Sequence, residues 1–197
     1  MEARGGSRGR YARRPGSPAI LPAVIASRSH VRAAPARVLV GKRFPSLRVL
    51  DYGGEQVVFP REVSGEVIVY LYPGADCSPD GGRSSANGDV LQHASFDRHR
   101  LDFEARGVRV AGLSSELPKA QFDRIREHRV CHVLWSDPEC ALAHALDLPT
   151  FTQAGKEYYR RGTLIVSGGR IEIAIYPLWR PEQSAVQALW SMKARGM

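Results

Sequence analysis

Three short, almost wholly apolar segments constrain the fold of this 197-residue chain more than any other feature. They are GEVIVYLYP (residues 65–73), VRVAGLS (108–114) and HVLWSD (132–137). Continuous apolar runs rich in β-branched residues are typical of strands buried on both faces of a sheet. The sequences between them predict helices, which indicates parallel strands joined by crossover helices.

Two hairpins and a closing helix complete the predicted domain. The hairpins are RFPSLRVLDYGGEQVVFPREV (residues 43–63) and RRGTLIVSGGRIEIAIYP (160–177), each turning at a Gly-Gly pair. The helix spans residues 181–194, with Val186, Leu189, Trp190 and Met192 as its expected apolar face. We therefore predict an α/β fold with a central mixed sheet, helices on both faces and an N-terminal β-hairpin.

The positive charge of the chain is concentrated at one end. Residues 1–37 contain eight arginines and one acid, so they carry +7 of the net charge of +8, and residues 38–197 carry +1. We predict a basic flexible extension over 1–37 and one domain over 38–197. Two alternatives are an organelle transit peptide and an arm that binds nucleic acid or an acidic partner. A domain this close to neutral is not expected to bind nucleic acid.

The apolar runs and the cysteines indicate the cellular compartment in which the protein is expected. The longest apolar run near the N-terminus, AILPAVIA (residues 19–26), contains a proline and is too short to span a membrane, so no membrane partner is expected. Cys77, Cys131 and Cys140 are odd in number and show neither zinc-site nor CxxC spacing. A reducing, cytoplasmic location is therefore expected. No metal or cofactor is predicted.

The segment after the first apolar strand carries the candidate site. Residues 74–88 predict a long loop, and Asp89 is expected to open a helix that runs to about Arg106. Asp89 has two interpretations: a residue that caps the helix, or a carboxylate paired with His93, four residues later on the same helix face. A carboxylate beside an imidazole fixes its tautomer and raises its basicity, as in a general-base pair.

Residues 40–190 resemble peroxiredoxins of the bacterioferritin-comigratory-protein and redoxin type. Five segments carry the resemblance: VGKRFPSLRVLDYGGEQVVF, VIVYLYP, FEARGVRVAGLSSE, VLWSDPECALAHALDLPTF and YRRGTLIVSGGRIEIAIYP. It implies a thioredoxin-like fold and a thiol peroxidase whose cysteine, at the first turn of the helix after the YP strand, attacks a peroxide. It also implies that Arg161 matches the arginine that polarises the peroxide, with Arg160 pointing to the other face of its strand.

The sequence departs from this family where the chemistry would occur. Aligned through Gly88 and Phe96, Asp89 takes the position of the peroxidatic cysteine and Ala94 that of the resolving cysteine. Aligned instead from Pro73, Asp80 takes the cysteine position. A carboxylate cannot be oxidised to a sulfenic acid, so the active site would be degenerate for peroxide reduction.

We therefore expect a repurposed, cofactor-free enzyme that acts on a small organic substrate in the former peroxide pocket. Asp89 and His93 would exchange protons and Arg161 would stabilise a developing oxyanion. A tailoring step in specialised metabolism would fit this chemistry. Arg161 and the helix N-terminus should also hold Asp89 ionised, with a lowered pKa.

Two alternatives remain open. Cys77 could act as a relocated peroxidatic thiol, its pKa lowered by Arg161, with resolution by Cys131 or a thioredoxin-like reductant; otherwise it is a free loop thiol. Cys131 and Cys140 are expected to be small buried residues. The third hypothesis is a non-catalytic module that binds a small molecule or a protein, and a homodimer is compatible with all three.

Overall fold

The computed structural model describes residues 36–59, 65–74, 77 and 84–197, with the side chains of residues 36, 37 and 84–86 excepted. The predicted extension over 1–37, apart from its last two residues, and the candidate Asp80 lie outside this part of the chain. The elements are, in order, α1 Ala36–Leu39, β1 Leu47–Leu50, β2 Gln56–Phe59, β3 Glu66–Leu71, α2 Ser84–Arg98, α3 Arg100–Glu104, β4 Val108–Ser114, α4 Pro118–His128, β5 Val133–Ser136, α5 Ala141–Leu146, β6 Thr150–Gln153, β7 Lys156–Tyr159, β8 Gly162–Ser167, β9 Arg170–Ile175 and α6 Ser184–Ala194.

Seven strands form one mixed sheet in the order β2-β1-β5-β4-β3-β8-β9. The three apolar strands β3, β4 and β5 are parallel neighbours at its centre. β8 runs antiparallel to β3 on one side, and β1 pairs antiparallel with both β2 and β5 on the other. The predicted mixed α/β sheet is confirmed.

Alternate residues of β3 face two separate hydrophobic cores. Val67, Val69 and Leu71 pack in the core that α1 and α5 cover. Ile68, Tyr70 and Tyr72 pack in the opposite core, which α2, α3 and α6 cover. Because both faces are covered, every residue of β3 after Glu66 is buried, which explains its unbroken apolar sequence.

The helix that carries the candidate site begins earlier than expected. α2 starts at Ser84 and ends at Arg98, after which the chain turns at His99 into the short α3. Asp89 is therefore the sixth residue of α2, and the interpretation of Asp89 as the residue that caps this helix is wrong. Serine and alanine in the segment before Asp89 are compatible with helix, so the turn-forming residues 74–88 did not all belong to the loop.

Two further differences concern the second half of the chain. β6 and β7 form a two-stranded hairpin that we did not predict, turning at Ala154 and Gly155, whose φ angles are 50° and 77°. In α6 the small residues Ala185 and Ala188 are buried, whereas Trp190 is 77% exposed and not part of the buried face. The Oγ of Ser95 in α2 accepts a hydrogen bond from the backbone N–H of Ala185 at 3.2 Å, and this close approach of two helices leaves room only for small side chains.

Within the described part of the chain, no helix combines the length and the apolar composition needed to cross a membrane.

Candidate functional site

The candidate site lies at the edge of the sheet where β3 and β4 end and β8 begins. Leu71, the last residue of β3, is aligned with both Leu113 of β4 and Gly162 of β8. Segments that leave or enter the sheet at this edge carry Cys77, Glu116 and Arg161. The middle of α2 packs against the same edge and supplies Asp89 and His93.

Asp89 and Arg161 form a buried ion pair. The Oδ1 atom of Asp89 lies 2.6 Å from Nη1 of Arg161, without the angular geometry of a directed hydrogen bond. The same nitrogen donates a hydrogen bond to Oε1 of Gln92 at 3.0 Å. The guanidinium lies against Gly88, where a Cβ atom would come within 2.7 Å of Nη2. The structure thus brings together two of the predicted site residues and adds Gly88 and Gln92 to them.

The pKa of Asp89 is raised to about 6, the opposite of the predicted direction. Burial is the largest cause, because the carboxylate is wholly inaccessible and loses its hydration; Arg161 opposes this effect but does not outweigh it. The sequence indicated the neighbouring arginine but not the depth of burial. At neutral pH Asp89 is still mainly ionised, but it can take up a proton slightly below neutrality.

His93 is oriented by Tyr70 and not by Asp89. Its Nδ1 atom is 2.7 Å from the Tyr70 hydroxyl, while its Nε2 atom is buried and has no hydrogen-bond partner among the described residues. The predicted Asp89–His93 hydrogen bond is absent from the described contacts, and Asp89 pairs with Arg161 instead. Burial, followed by the positive charge of His132, lowers the pKa of His93 well below its usual value. The imidazole is therefore neutral at pH 7.

A second buried ion pair borders the site and was not predicted. Arg124 of α4 forms a two-point contact with Glu116, which follows β4, and both side chains are 7% exposed. Glu116 also lies against Gly74, whose φ of 106° and lack of a side chain leave room for it. Glu116 follows the buried parallel strand β4 by two residues, and this position is the one sequence feature that could have placed it near the candidate site. Nothing in the sequence marks Arg124, eight residues later, as its partner.

Cys77 lies beside the ion pairs but is not activated by them. Its side chain is buried, and the Sγ atom contacts the carbonyl oxygen of Gly74 at 3.4 Å. Burial, with the negative charge of Asp89 second, raises the thiol pKa to about 12, although Arg161 acts in the opposite direction. The expected lowering of this pKa by Arg161 is thus wrong, and the thiol is protonated at neutral pH.

The other two cysteines are remote from this arrangement. Cys131 is exposed, which corrects the expectation that it is buried, because it precedes β5 at the opposite edge of the sheet. The six residues of β3 alone separate the two edges by about 17 Å, so Cys131 and Cys77 do not form a thiol pair in this structure. Cys140 is buried, as expected, and contacts the carbonyl oxygen of Glu157.

The neighbouring arginines diverge as strand geometry requires. Nε of Arg160 donates to the carbonyl oxygen of Thr150 at 3.3 Å, and the guanidinium lies 5.6 Å from the Phe151 ring centre. Arg160 therefore faces away from the ion pair of Arg161. Within the described residues, no group of three or more histidine, cysteine or acidic side chains is placed to hold a metal ion.

Comparisons with known proteins establish the fold. No protein-family model and no curated protein sequence matches the chain. Among solved structures, it is similar to the peroxidoxin BcpB of Mycobacterium tuberculosis, with 18% identity, a TM-score of 0.67 and coverage of 79% of this chain and 96% of that one. It is also similar to a variant of PrxQ from Xylella fastidiosa, with 18% identity, a TM-score of 0.66 and coverage of 80% and 97%.

A third similar structure is the bacterioferritin comigratory protein of Xanthomonas campestris, a protein with alkyl peroxide reduction activity. The identity is 21% and the TM-score 0.62, over 77% of this chain and 92% of that one. At such identities the likeness establishes the fold alone. The chain has a thioredoxin-like fold of the peroxiredoxin type, and the prediction of this fold from the sequence resemblance is confirmed.

Proposed function

We propose that this protein is a cofactor-free enzyme that moves a proton on a small organic substrate, with Asp89, His93 and Arg161 as its catalytic residues. One observation supports this most: α2 carries Asp89, which forms a buried ion pair with Arg161, and, one turn later, the neutral imidazole of His93. The Nε2 atom of this imidazole has no hydrogen-bond partner among the described residues. A neutral imidazole accepts a proton, and a carboxyl group with a pKa of about 6 can accept or return one near neutral pH.

Each residue has a chemical role in this proposal. His93 Nε2 removes a proton from a carbon next to a carbonyl group. The guanidinium of Arg161 then stabilises the negative charge that develops on the carbonyl oxygen, and its effect is large because the site is shielded from water. Asp89 holds Arg161 in position and exchanges a proton with the substrate oxygen. The substrate class is a small enolisable carbonyl compound.

Hydrogen–deuterium exchange tests this proposal without knowledge of the natural substrate. Wild-type protein is incubated in D₂O with a panel of 2-oxo acids and β-keto acid esters, and the loss of the α-hydrogen signal is followed by proton NMR. We expect exchange in at least one compound, and a loss of roughly 100-fold or more in His93→Gln and in Asp89→Asn. Arg161→Gln should behave likewise, whereas the matched control Arg160→Gln should not.

Absence of exchange in every compound, or full exchange in both His93→Gln and Asp89→Asn, would contradict the proposal. Cys77→Ser should keep the exchange activity, because the thiol takes no part in it.

A thiol peroxidase that uses Cys77 is the second candidate. It is favoured by the fold and by the position of Cys77 within electrostatic reach of Asp89 and Arg161. The raised thiol pKa argues against it, because only the thiolate attacks peroxides. Peroxide consumption with dithiothreitol as reductant, measured for wild type and for Cys77→Ser, decides between the two functions: turnover that this substitution abolishes would support the peroxidase.

A non-catalytic binding module is the third candidate. The complete burial of Asp89, satisfied by one arginine, favours it, because such a pair can simply hold α2 against β8. It predicts that a compound from the same panel raises the melting temperature of the protein while its α-hydrogens do not exchange.

A further inference from the structure

Four side chains form a continuous line of hydrogen bonds through the core covered by α2. Oδ1 of Asp97 is 2.8 Å from Nδ1 of His132, Nε2 of His132 is 2.6 Å from the Tyr70 hydroxyl, and that hydroxyl is 2.7 Å from Nδ1 of His93. Asp97 and His93 both belong to α2, Tyr70 to β3, and His132 directly precedes β5. The line therefore joins the candidate site to the start of β5.

The chemistry of the first member sets the direction of every hydrogen bond. An ionised Asp97 can only accept, so His132 carries its proton on Nδ1 and offers a lone pair at Nε2. Tyr70 then donates its single proton to His132, and its oxygen accepts from Nδ1–H of His93. His93 is left with a lone pair on Nε2, the buried atom without a described partner.

The central tyrosine is held in place by shape. Gly112 of β4 lies beneath it, and a Cβ atom there would come within 2.6 Å of the Tyr70 hydroxyl oxygen. Phe96 of α2 stacks on the other side, with ring centres 4.5 Å apart and planes inclined by 14°. The missing side chain lets the Tyr70 ring extend across β4 towards His132. Glycine in a central strand is costly, and this close approach accounts for its presence.

The two ends of the line lie in different environments. The side chain of His93 is 1% exposed, whereas that of Asp97 is 19% exposed. His132 lines a cavity of about 240 Å³, together with the exposed Cys131 and with Arg100. The side chain of His132 is itself 7% exposed and lies 2.8 Å from the Asp97 carboxylate, whereas Nδ1 of His93 contacts only the neutral Tyr70 hydroxyl.

We propose that Asp97, His132, Tyr70 and His93 form a proton relay that carries a proton from the candidate site to His132. When His93 Nε2 takes a proton, the Nδ1 proton of His93 passes to the Tyr70 oxygen and the Tyr70 proton passes to His132 Nε2. One N–H bond forms at each imidazole and one N–H bond breaks at His93, while Tyr70 exchanges one O–H bond for another. His93 ends neutral, protonated on Nε2, and the positive charge rests on His132 beside Asp97.

The electrostatic surroundings favour this outcome. Cationic groups from three sides act against a charge on His93: His132 itself, Arg124 and His128 of α4, and Arg161, which precedes β8. The negative charge of Asp89 lies four residues away on the same helix but is already paired with Arg161. On His132 the positive charge instead faces Asp97 at 2.8 Å. The buried ring of His93 disfavours a positive charge, but it can still accept a proton on Nε2 because its Nδ1 proton passes on to Tyr70.

The hydrogen-bond directions do not depend on the proposed function, whereas the removal of a substrate proton rests on it. The test is therefore made first without substrate, on ¹⁵N-histidine-labelled protein by long-range proton–nitrogen NMR. In spectra where His132 is neutral, His93 and His132 should both carry their proton on Nδ1. In spectra where His132 is doubly protonated, the proton of His93 should instead lie on Nε2.

Tyr70→Phe breaks the line and should abolish this linked tautomer change at His93, even in spectra where His132 is doubly protonated. Tyr72→Phe is the matched control: Tyr72 packs edge-on against His93 with ring centres 4.8 Å apart, but no hydrogen bond joins it to either histidine. The control should keep the linked change. If Tyr70→Phe does not fold, the wild-type tautomers decide: a His93 protonated on Nε2 while His132 is neutral, or a His93 tautomer that does not follow the protonation state of His132, overturns the relay.

With an exchanging substrate, Tyr70→Phe should lower the exchange rate by roughly 100-fold and Tyr72→Phe should leave it unchanged. If the His93 and His132 tautomers are linked but no compound of the panel exchanges its α-hydrogen, the relay is upheld and the proposed function is refuted. If the tautomers are not linked but a compound does exchange, the relay is refuted and the proposed function is upheld.

Discussion

At the scale of single residues, two glycines shape the site as much as its charged groups do. Gly88 lets the guanidinium of Arg161 lie against α2, and Gly112 lets the ring of Tyr70 lie across β4. Gly88 stands inside a helix, where glycine costs up to about 1 kcal/mol relative to alanine, so its presence indicates a steric requirement. The requirement is access of Arg161 to Asp89.

Gly88→Ala should therefore favour the helix but disturb the buried ion pair. The alanine favours the helix, but its Cβ displaces the guanidinium from Asp89, and the pKa of Asp89 should rise further because Arg161 is the largest influence that lowers it. We expect a net loss of stability at pH 7, because the gain of about 1 kcal/mol in the helix does not offset the weakened buried ion pair, and a higher Asp89 pKa in carboxyl ¹³C NMR titration. Arg161→Gln, which leaves α2 untouched, should raise the same pKa. An unchanged pKa in Gly88→Ala would show that the ion pair tolerates the added methyl group.

The sequence indicated which residues lie near this edge of the sheet better than it indicated their partners. Asp89 and His93 were singled out from position and residue type and Arg161 from the family resemblance, and the structure places Asp89 and Arg161 in contact. The partner of His93 was not singled out, because Tyr70 precedes it by 23 residues and belongs to a strand that the apolar pattern marked only as core. The direction of the Asp89 pKa was missed for a related reason: burial depends on how the whole domain packs, and the sequence shows only the nearby charge.

At the scale of elements, one aspartate joins three segments. Asp137 follows β5, and its two carboxylate oxygens accept hydrogen bonds from the backbone N–H groups of Ala141 and Leu142, each at 3.0 Å. The hydroxyl of Tyr159, at the end of β7, donates to the same carboxylate at 2.5 Å. Asp137 thus stabilises the start of α5 and fixes the unpredicted β6–β7 hairpin against it.

Asp137→Ala should destabilise the protein by about 3 kcal/mol, the sum of a lost helix cap and a lost hydrogen bond to a charged group. Urea unfolding followed by circular dichroism measures this loss. Asp123→Ala is the matched control. Asp123 lies in α4 and pairs with Lys119, but both side chains are exposed, so the expected effect is below about 0.5 kcal/mol. Equal effects of the two substitutions would mean that Asp137 does not organise the segment.

Element order was predictable where one physical rule dominates. Strands buried on both faces must be apolar throughout, so β3, β4 and β5 were identified from composition alone. The start of α2 was not, because serine, asparagine and glycine favour turns in isolation and are helical here within the folded domain. The predicted apolar face of α6 was right at the buried Met192 and the partly buried Leu189 but wrong at the exposed Val186 and Trp190, because contact with α2 buries Ala185 and Ala188 instead.

At the scale of the whole molecule, two buried groups of α2 set opposite dependences of stability on pH. The folded state raises the pKa of Asp89 to about 6, so it binds that proton more tightly than the unfolded chain does. This contribution to stability is full below about pH 4 and is lost as the pH rises through about 6. The folded state lowers the pKa of His93, so its contribution is full above about pH 6.5 and is lost as the pH falls below that value.

Single variants separate the two contributions, because a difference between wild type and variant cancels every other titrating group. The free energy of unfolding of wild type minus that of Asp89→Asn should fall by about 3 kcal/mol between pH 4 and pH 7, the equivalent of roughly two pKa units. The same difference for His93→Asn should instead rise with pH up to about pH 6.5 and stay level above it. Urea unfolding at closely spaced pH values measures both.

The sign of the Asp89 difference discriminates between the two forces on this carboxylate. If Arg161 dominated, as the sequence alone suggested, the folded state would favour the ionised form and the difference would rise with pH. If burial dominates, as the inaccessible carboxylate indicates, the difference falls. In either case this difference also contains a constant offset, because Asp89→Asn leaves Arg161 without its ionic partner at every pH. The slope of the difference against pH therefore distinguishes the two cases, and its absolute value does not.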